Sequence, residues 1–419
     1  MSPGLARTGL VPLLFWCASG VAAVAEPHGA AHHEPLPERA ELTLAAVLDE
    51  AVSRYPDAAL LSARAGQAEA WRARSRSLLA DTPSLSFRYQ TDRFGDDAGL
   101  QEYEGGLELP LWRWGERRAA GALAGASAAV ARTAAPGLRW QVAGELREVL
   151  WAMARAEREL QAALDTRDLN ERLAASVRRR HELGDVPLAD VLLADSAALA
   201  AEEAVVDATA LLVDAQREYR TLSGLDARPP FEAEPLSPIE EITPDHPALA
   251  AAAAELERAR ARADLSRRSA RGSPTLLLGP RWERPALGSG YDDSVGLTLT
   301  VPLPGTAHGR TAAADASAEA AAAHAARDRL HRSLALALHE AEHGLEVATA
   351  NLATSSRRAG LAARHADMGR TAYEAGEGDL MDLLRLQEAA VAARRTRDRF
   401  DIEVARRTAA YNQAVGVYP

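Results

Sequence analysis

Residues 376–388, GEGDLMDLLRLQE, repeat the plan of residues 184–196, GDVPLADVLLADS: a glycine, an aspartate six residues later, then an apolar helical run. Gly376 answers Gly184, and Asp382 answers Asp190, at an offset of 192 residues. The same offset relates Tyr411 to Tyr219, Gly416 to Gly224 and Pro302 to Pro110, while an offset of 191 relates Pro274 to Pro83 and Pro247 to Pro56. One slip of a residue over that distance marks a duplication. The chain is two copies of one unit, so its function has to come from how such units combine.

With 419 residues the chain is long enough for a large core or several domains, yet aromatics make up only 5% of it and Ala, Leu, Arg and Glu dominate. That is the composition of long packed helices. The formal charge is −11 and all 48 basic residues are Arg, scattered rather than massed, which argues against a nucleic-acid partner. No glycine loop of the phosphate-cradling kind follows a strand, so nothing points to a nucleotide cofactor; none of any kind is expected.

At the N-terminus Arg7, the apolar run Leu10 to Cys17 and the small residues ending in Ala23-Val24-Ala25 read as a signal peptide over residues 1–25. The run is too short to span a membrane as a helix. Cys17 is the only cysteine, and Trp16 stands where a lipoprotein site wants a small residue, so Cys17 is expected to leave with the signal. Residues 26–43 form a polar leader containing His28, His32 and His33, read as a tail rather than a metal site.

The first repeat, residues 44–225, opens with two helical patterns separated by Pro56. The period then changes from 3.6 to 2 within 83–111: Leu85, Phe87 and Tyr89 alternate with polar residues, then Tyr103, Leu107, Leu109 and Leu111 do the same across the turn-rich FGDDAG. The second repeat, residues 248–419, carries the same pair within 274–303, with Val295, Leu297, Leu299 and Val301 alternating cleanly. Helical tracts follow over 114–222 and 309–414, each turning once, at Gly184 and at Gly376, and their Ala-filled seams predict close side-by-side packing. Pro136-Gly137 predicts a kink or local break in the first tract. Between the repeats, residues 226–247 form a connector holding Pro229, Pro230, Pro235, Pro238, Pro244 and Pro247.

Strands of about ten residues with one apolar face have the length and pattern of outer-membrane strands. Four strands cannot close a barrel, and an unclosed edge in lipid leaves backbone groups unsatisfied. Several chains would have to share one barrel, and three chains would give twelve strands.

This arrangement, with the G-x-x-x-x-x-D-x-L tips, resembles the TolC-like outer-membrane factors over nearly the whole chain from Leu44 to Val417; the short length and the histidines look most like the heavy-metal, CzcC-like branch. The resemblance implies a mainly α fold with a small β part, each repeat a β-hairpin plus a long coiled-coil hairpin. It further implies a homotrimer whose 12-stranded barrel in outer-membrane lipid continues as an α-helical barrel through the periplasm. An inner-membrane pump and a periplasmic adaptor protein would be its partners. It implies docking of the adaptor on the tips, Gly184, Asp185, Val186 and Pro187 with Gly376, Glu377 and Gly378, and a periplasmic gate of Asp190, Asp379 and Asp382. Arg385 stands where the family can carry a second acid. The function implied is passive efflux, with heavy-metal cations as one cargo, and no catalysis. The competing reading of Asp190 and Asp382 is as helix-start residues beside the N-terminal dipole.

A soluble periplasmic coiled-coil adaptor would leave the apolar strand faces in water. A zinc hydrolase is suggested by His339-Glu340-Ala341-Glu342-His343, a literal H-E-x-x-H, with His331 and His324 on nearly the same helix face. An Ala-rich rod offers little concavity for a third ligand, so His339, His343 and His331 are weak metal candidates and the stretch is read as a solvated face.

Overall fold

The structure, a computed structural model, describes residues 36–303 and 307–419. The expected signal peptide, Cys17, His28, His32 and His33 lie outside those residues. In chain order the elements are α1 (Leu44–Arg54), α2 (Ala58–Arg76), β1 (Ser84–Thr91), β2 (Gln101–Pro110), α3 (Glu116–Glu182) and α4 (Leu188–Ser223), then α5 (Pro247–Ser269), β3 (Thr275–Arg284), β4 (Asp292–Thr300), α6 (Ala307–Glu374) and α7 (Leu380–Ala414). The helix–strand–strand–helix–helix order thus recurs. α1 has no helical counterpart, because the prolines of residues 229–244 stand where one would be.

The long helices α3 and α6 hold 67 and 68 residues, about 100 Å each. The return helices α4 and α7, of 36 and 35 residues, cover only about half that length. Near the strands α3 is flanked instead by α2 and α5, and α6 by α5. Toward the tips the neighbours run α4, α3, α7, α6. The contacts are made largely by alanines such as Ala119, Ala120, Ala174, Ala194, Ala263 and Ala393, all buried, which lets the helix axes approach closely.

Of the kink or local break expected at Pro136-Gly137, the break is absent: α3 runs through both residues without interruption. Proline forfeits only one hydrogen bond of the ladder, and a helix held by packing on several sides tolerates that loss. Gly137 has a packing reason, since a β-carbon there would sit 3.1 Å from the Ala251 side chain on α5.

The four strands form one antiparallel sheet in the order β1-β2-β3-β4. Its register pairs Leu85 with Leu107 and Leu107 with Leu278, then Leu278 with Leu297, so the apolar positions of the four strands fall on one face, apart from Leu277, which pairs with Glu108 on the other. Gly105, Gly106, Gly279 and Gly296 meet in mid-sheet, where a β-carbon on Gly279 would collide with the Gly105 carbonyl; the strands can therefore bend there.

The connector is anchored by two arginines. Arg228 donates two hydrogen bonds to Glu157 (2.9 and 2.8 Å) and one to Glu38 (2.6 Å), while its backbone bridges Pro37 and Arg39. Arg147, 3% exposed, donates to both Glu234 oxygens (2.8 and 2.6 Å), to Gln413 Oε1 (2.5 Å) and to the Val417 carbonyl (3.0 Å). Asn412 completes this hub, donating to Glu234 and Pro235 and accepting from the Ser237 N–H.

His246 caps α5, its Nδ1 accepting from the Ala248 N–H, and lies edge-on to Trp140 with ring centroids 5.2 Å apart. Burial pushes its pKa below the ordinary value, opposed in part by the Gln413 and Ala414 backbone. The folded chain therefore refuses a proton that the unfolded chain accepts below about pH 6.5. The stabilisation is fully present above that pH and is lost as pH falls toward the folded-state pKa. His246→Asn, which keeps a capping acceptor, is expected to flatten the acid limb of a melting-temperature profile; an unchanged limb would assign it to other groups.

Candidate functional site

Both helical hairpins turn by the same device. Gly184 (φ +83°) and Gly376 (φ +76°) adopt the left-handed conformation that closes a helix, and the following N–H groups of Asp185 and Glu377 reach back to the carbonyls of Arg180 and Ala372. The return helices then start behind Pro187 and Asp379, which makes Asp190 and Asp382 the third residue of α4 and α7 respectively. Both carboxylates thus stand in a first turn, where the helix dipole favours them. Gly184, Asp185, Pro187, Gly376, Glu377, Gly378 and Asp379 are exposed, and Val186 packs partly onto the core below.

That core joins the two tips. Ala174, Val177, Val191 and Ala194 of the first hairpin cluster with Tyr373, Leu380, Leu383 and Leu384 of the second. Above it the Arg180 guanidinium lies 4.9 Å from the Tyr373 ring centroid. The Tyr373 hydroxyl is buried without a hydrogen-bond partner among the described residues. Burial raises its pKa, Arg180 opposes, and Asp190 and Asp379 add to the rise. Asp382 pairs at 3.5 Å with Arg385, both being largely exposed. Sequence reasoning passed over Arg180 and Tyr373; a lone aromatic in an Ala-rich seam, next to the turn glycine, was the available signal.

The sheet presents two chemically opposite faces. Leu85 (87% exposed), Phe87, Val295 (78%) and Leu297 lie bare on one, and Tyr89, Tyr103, Trp282 and Tyr291 gather at its hairpin end, with Tyr89 and Tyr103 rings 4.9 Å apart. The other face carries Arg88, Glu102, Glu104, Glu108, Arg281, Glu283 and Asp292, cross-linked by Arg281–Glu102 (2.8 Å) and Arg88–Glu104 (3.6 Å). An apolar band ending in an aromatic row is how strands meet lipid and its interface. β1 and β4 each keep one unpaired edge within the chain.

The helical array has matching bare margins. α4 exposes Leu188, Leu192, Leu199 and Val206, and α6 exposes Val347, Leu361 and Met368, each at near-heptad spacing on an outermost helix of the row. No described helix is long and apolar enough to cross a membrane.

The H-E-x-x-H stretch is an open helix surface. His339 and His343 are exposed with ring centroids 6.4 Å apart, His331 lines a separate cavity with Asp328, and Glu340 lines the groove between α3, α6 and α7, away from both imidazoles. Among the described residues no group of three or more His, Cys, Asp or Glu is gathered so as to hold a metal ion.

No protein-family model matches the chain, and no curated protein matches it in sequence. Solved structures do match it in fold. The outer membrane protein VceC of Vibrio cholerae superposes with a TM-score of 0.69 at 15% identity, over 89% of this chain and 95% of that one. The CmeC outer membrane channel of Campylobacter jejuni gives 0.70 at 14% identity, over 88% and 84%. The MtrE outer membrane channel of Neisseria gonorrhoeae, in its open state, gives 0.60 at 17%, over 88% of each. The chain therefore has the fold of these outer-membrane channels, which is the TolC-like fold its repeats resemble.

Proposed function

We propose that this chain is the outer-membrane channel of a tripartite efflux system, conducting passively what an inner-membrane pump and a periplasmic adaptor deliver. The observation that carries the reading is that sheet and helices are left unfinished on the same plan. The edges of β1 and β4 lack strand partners, and α4 and α6 lack helix partners for their apolar stripes. Joining one margin to the opposite margin of the next copy is a heterologous contact, which closes into a ring. Three copies give twelve strands around a polar lumen, with the Leu- and aromatic-bearing face toward lipid. A soluble scaffold would leave that face in water.

The duplication supplies an internal template for the joint between copies. Within the chain Leu169 of α3 lines one cavity with Leu384 and Val391 of α7. Their repeat mates, 192 residues away, are Leu361 of α6 and Leu192 and Leu199 of α4, all exposed in the single chain. Leu361 of one copy therefore meets Leu192 and Leu199 of the next. The tips at Gly184–Pro187 and Gly376–Gly378 end the helical wall and are the docking surface for the adaptor. Electron microscopy of the protein extracted in detergent tests the reading: a threefold tube with a detergent belt at one end is expected, and a beltless or single-chain particle would refute it.

At the tips, three copies bring three Asp382 carboxylates together, but each arrives with Arg385 beside it, so the ring is nearly neutral. Arg385→Ala is expected to raise cation-over-anion selectivity severalfold, and Asp382→Ala to lower it, read as reversal potentials in a planar bilayer. Unchanged potentials in both variants would leave Asp382 as a helix-start residue only.

A further inference from the structure

The groove between α3 and α7 holds a cluster of arginines that its packing does not require. Arg155 and Arg158 on α3 and Arg395 and Arg399 on α7 line a cavity of about 210 Å³ together with Glu159, Asp398 and Ile402. Glu159 serves one of the four, lying 3.4 Å from Arg395, whereas Asp398 pairs outside the cluster with Arg397 and, at 3.9 Å, with Arg394. Arg155 and Arg158 have no carboxylate within ion-pair distance among the described residues. Arg399 is likewise without one, its guanidinium 5.1 Å from the Phe400 ring centroid. The Nε of Arg395 is buried and makes no hydrogen bond among the described residues.

The repeat shows what the same positions hold elsewhere. The mates of Arg155 and Arg158, 192 residues on, are Val347 and Ala350, and those of Arg395 and Arg399, 192 residues back, are Glu203 and Asp207. The equivalent stretches of α6 and α4 thus do without any of the four guanidiniums. Arg155, Arg158 and Arg399 are exposed, so water screens their mutual repulsion, and an anion among the four would gain from their combined field. Acids outnumber basic residues 59 to 48 in this chain, yet none has been placed to serve three of the four.

We propose that this cleft binds a soluble polyvalent oxyanion, a phosphate or polycarboxylate, held by Arg155 and Arg158 from the first repeat and Arg395 and Arg399 from the second. Guanidinium forks suit such oxygens, in paired and charge-assisted hydrogen bonds. The anion would tie α3 to α7, and so one helical hairpin to the other. Arg155 stands about 60 Å along α3 from its strand-side end, which favours a soluble anion over a lipid headgroup.

The test is calorimetric titration of the full, detergent-extracted chain with pyrophosphate and with citrate at 0.15 M NaCl, alongside thermal melting. One saturable site per chain and a raised melting temperature are expected. Arg155→Gln with Arg158→Gln should weaken binding at least tenfold, and Arg399→Gln alone severalfold. Arg357→Gln with Arg358→Gln, two exposed arginines elsewhere on α6, should leave it unchanged. Absence of saturable binding by the unaltered chain overturns the proposal, as does equal loss in both double variants. Capture of anionic lipid vesicles without either soluble probe does so too. The titration needs a folded chain only, so its outcome is independent of channel function.

Discussion

Arg147→Ala is expected to destabilise the protein by about 3–5 kcal/mol, the largest loss foreseen for any single side chain outside the membrane. The reason is what it leaves behind. Glu234 is nearly as buried as Arg147 itself, with 10% of its side chain exposed, and would keep a carboxylate whose remaining hydrogen-bond donor is Asn412. Removing one member of a buried pair costs far more than the pair contributes, because the survivor stays desolvated. Arg147 also bonds Gln413 and Val417, so α3, the connector and the C-terminal tail would loosen together. Thermal melting of Arg147→Met, Glu234→Met and the double variant checks the argument. The double variant should melt closer to the native protein than either single one. If the losses simply add, the hub is a set of independent contacts and this account is wrong.

The second large effect concerns assembly. Leu361 and Leu199 are 62% and 61% exposed in the single chain, so Leu361→Asp or Leu199→Asp should leave each chain folded. In a ring, the new carboxylate would be buried in an apolar seam at about 2–3 kcal/mol per joint. A trimer has three joints, so the total of about 6–9 kcal/mol weakens assembly by about four to six orders of magnitude. Light scattering of the detergent-extracted variants should find single chains. In the complementary experiment, Leu192→Cys with Leu361→Cys should cross-link copies into a ladder ending at three. A trimer that survives both aspartate variants would mean that copies meet through other surfaces.

Much of this was legible in the sequence, and the reasons are specific. Period-2 alternation marked the two strand pairs within 83–111 and 274–303, and the glycines at positions 184 and 376 marked turns only they allow without strain. Pro136 does not break α3, because a helix held from several sides tolerates the one lost hydrogen bond. The hub around Arg147 could not be read at all, since residues 147, 234, 413 and 417 share no spacing and meet only through the fold. For the same reason Arg180 and Tyr373 were passed over, whereas Asp190 and Asp382 were visible because the repeat prints them twice.

The half-length return helices carry a further consequence. Since α4 and α7 take over the flanks of α3 and α6 where α2 and α5 stop, the wall stays four helices wide along its course, one helix for each strand of the sheet. Helices sit about 8–10 Å apart and strands about 4.8 Å. In the proposed ring of three copies, twelve of each could not share one circumference: even with strands tilted by about 40°, the helical ring would be wider by about a third or more. In that ring the step in girth would have to be absorbed in the few residues joining sheet to helix. There Arg113 reaches across to the carbonyls of Gly272 and Pro302, and Trp112 to that of Ser77, and in the proposed ring these contacts would rivet a narrow tube to a broad one.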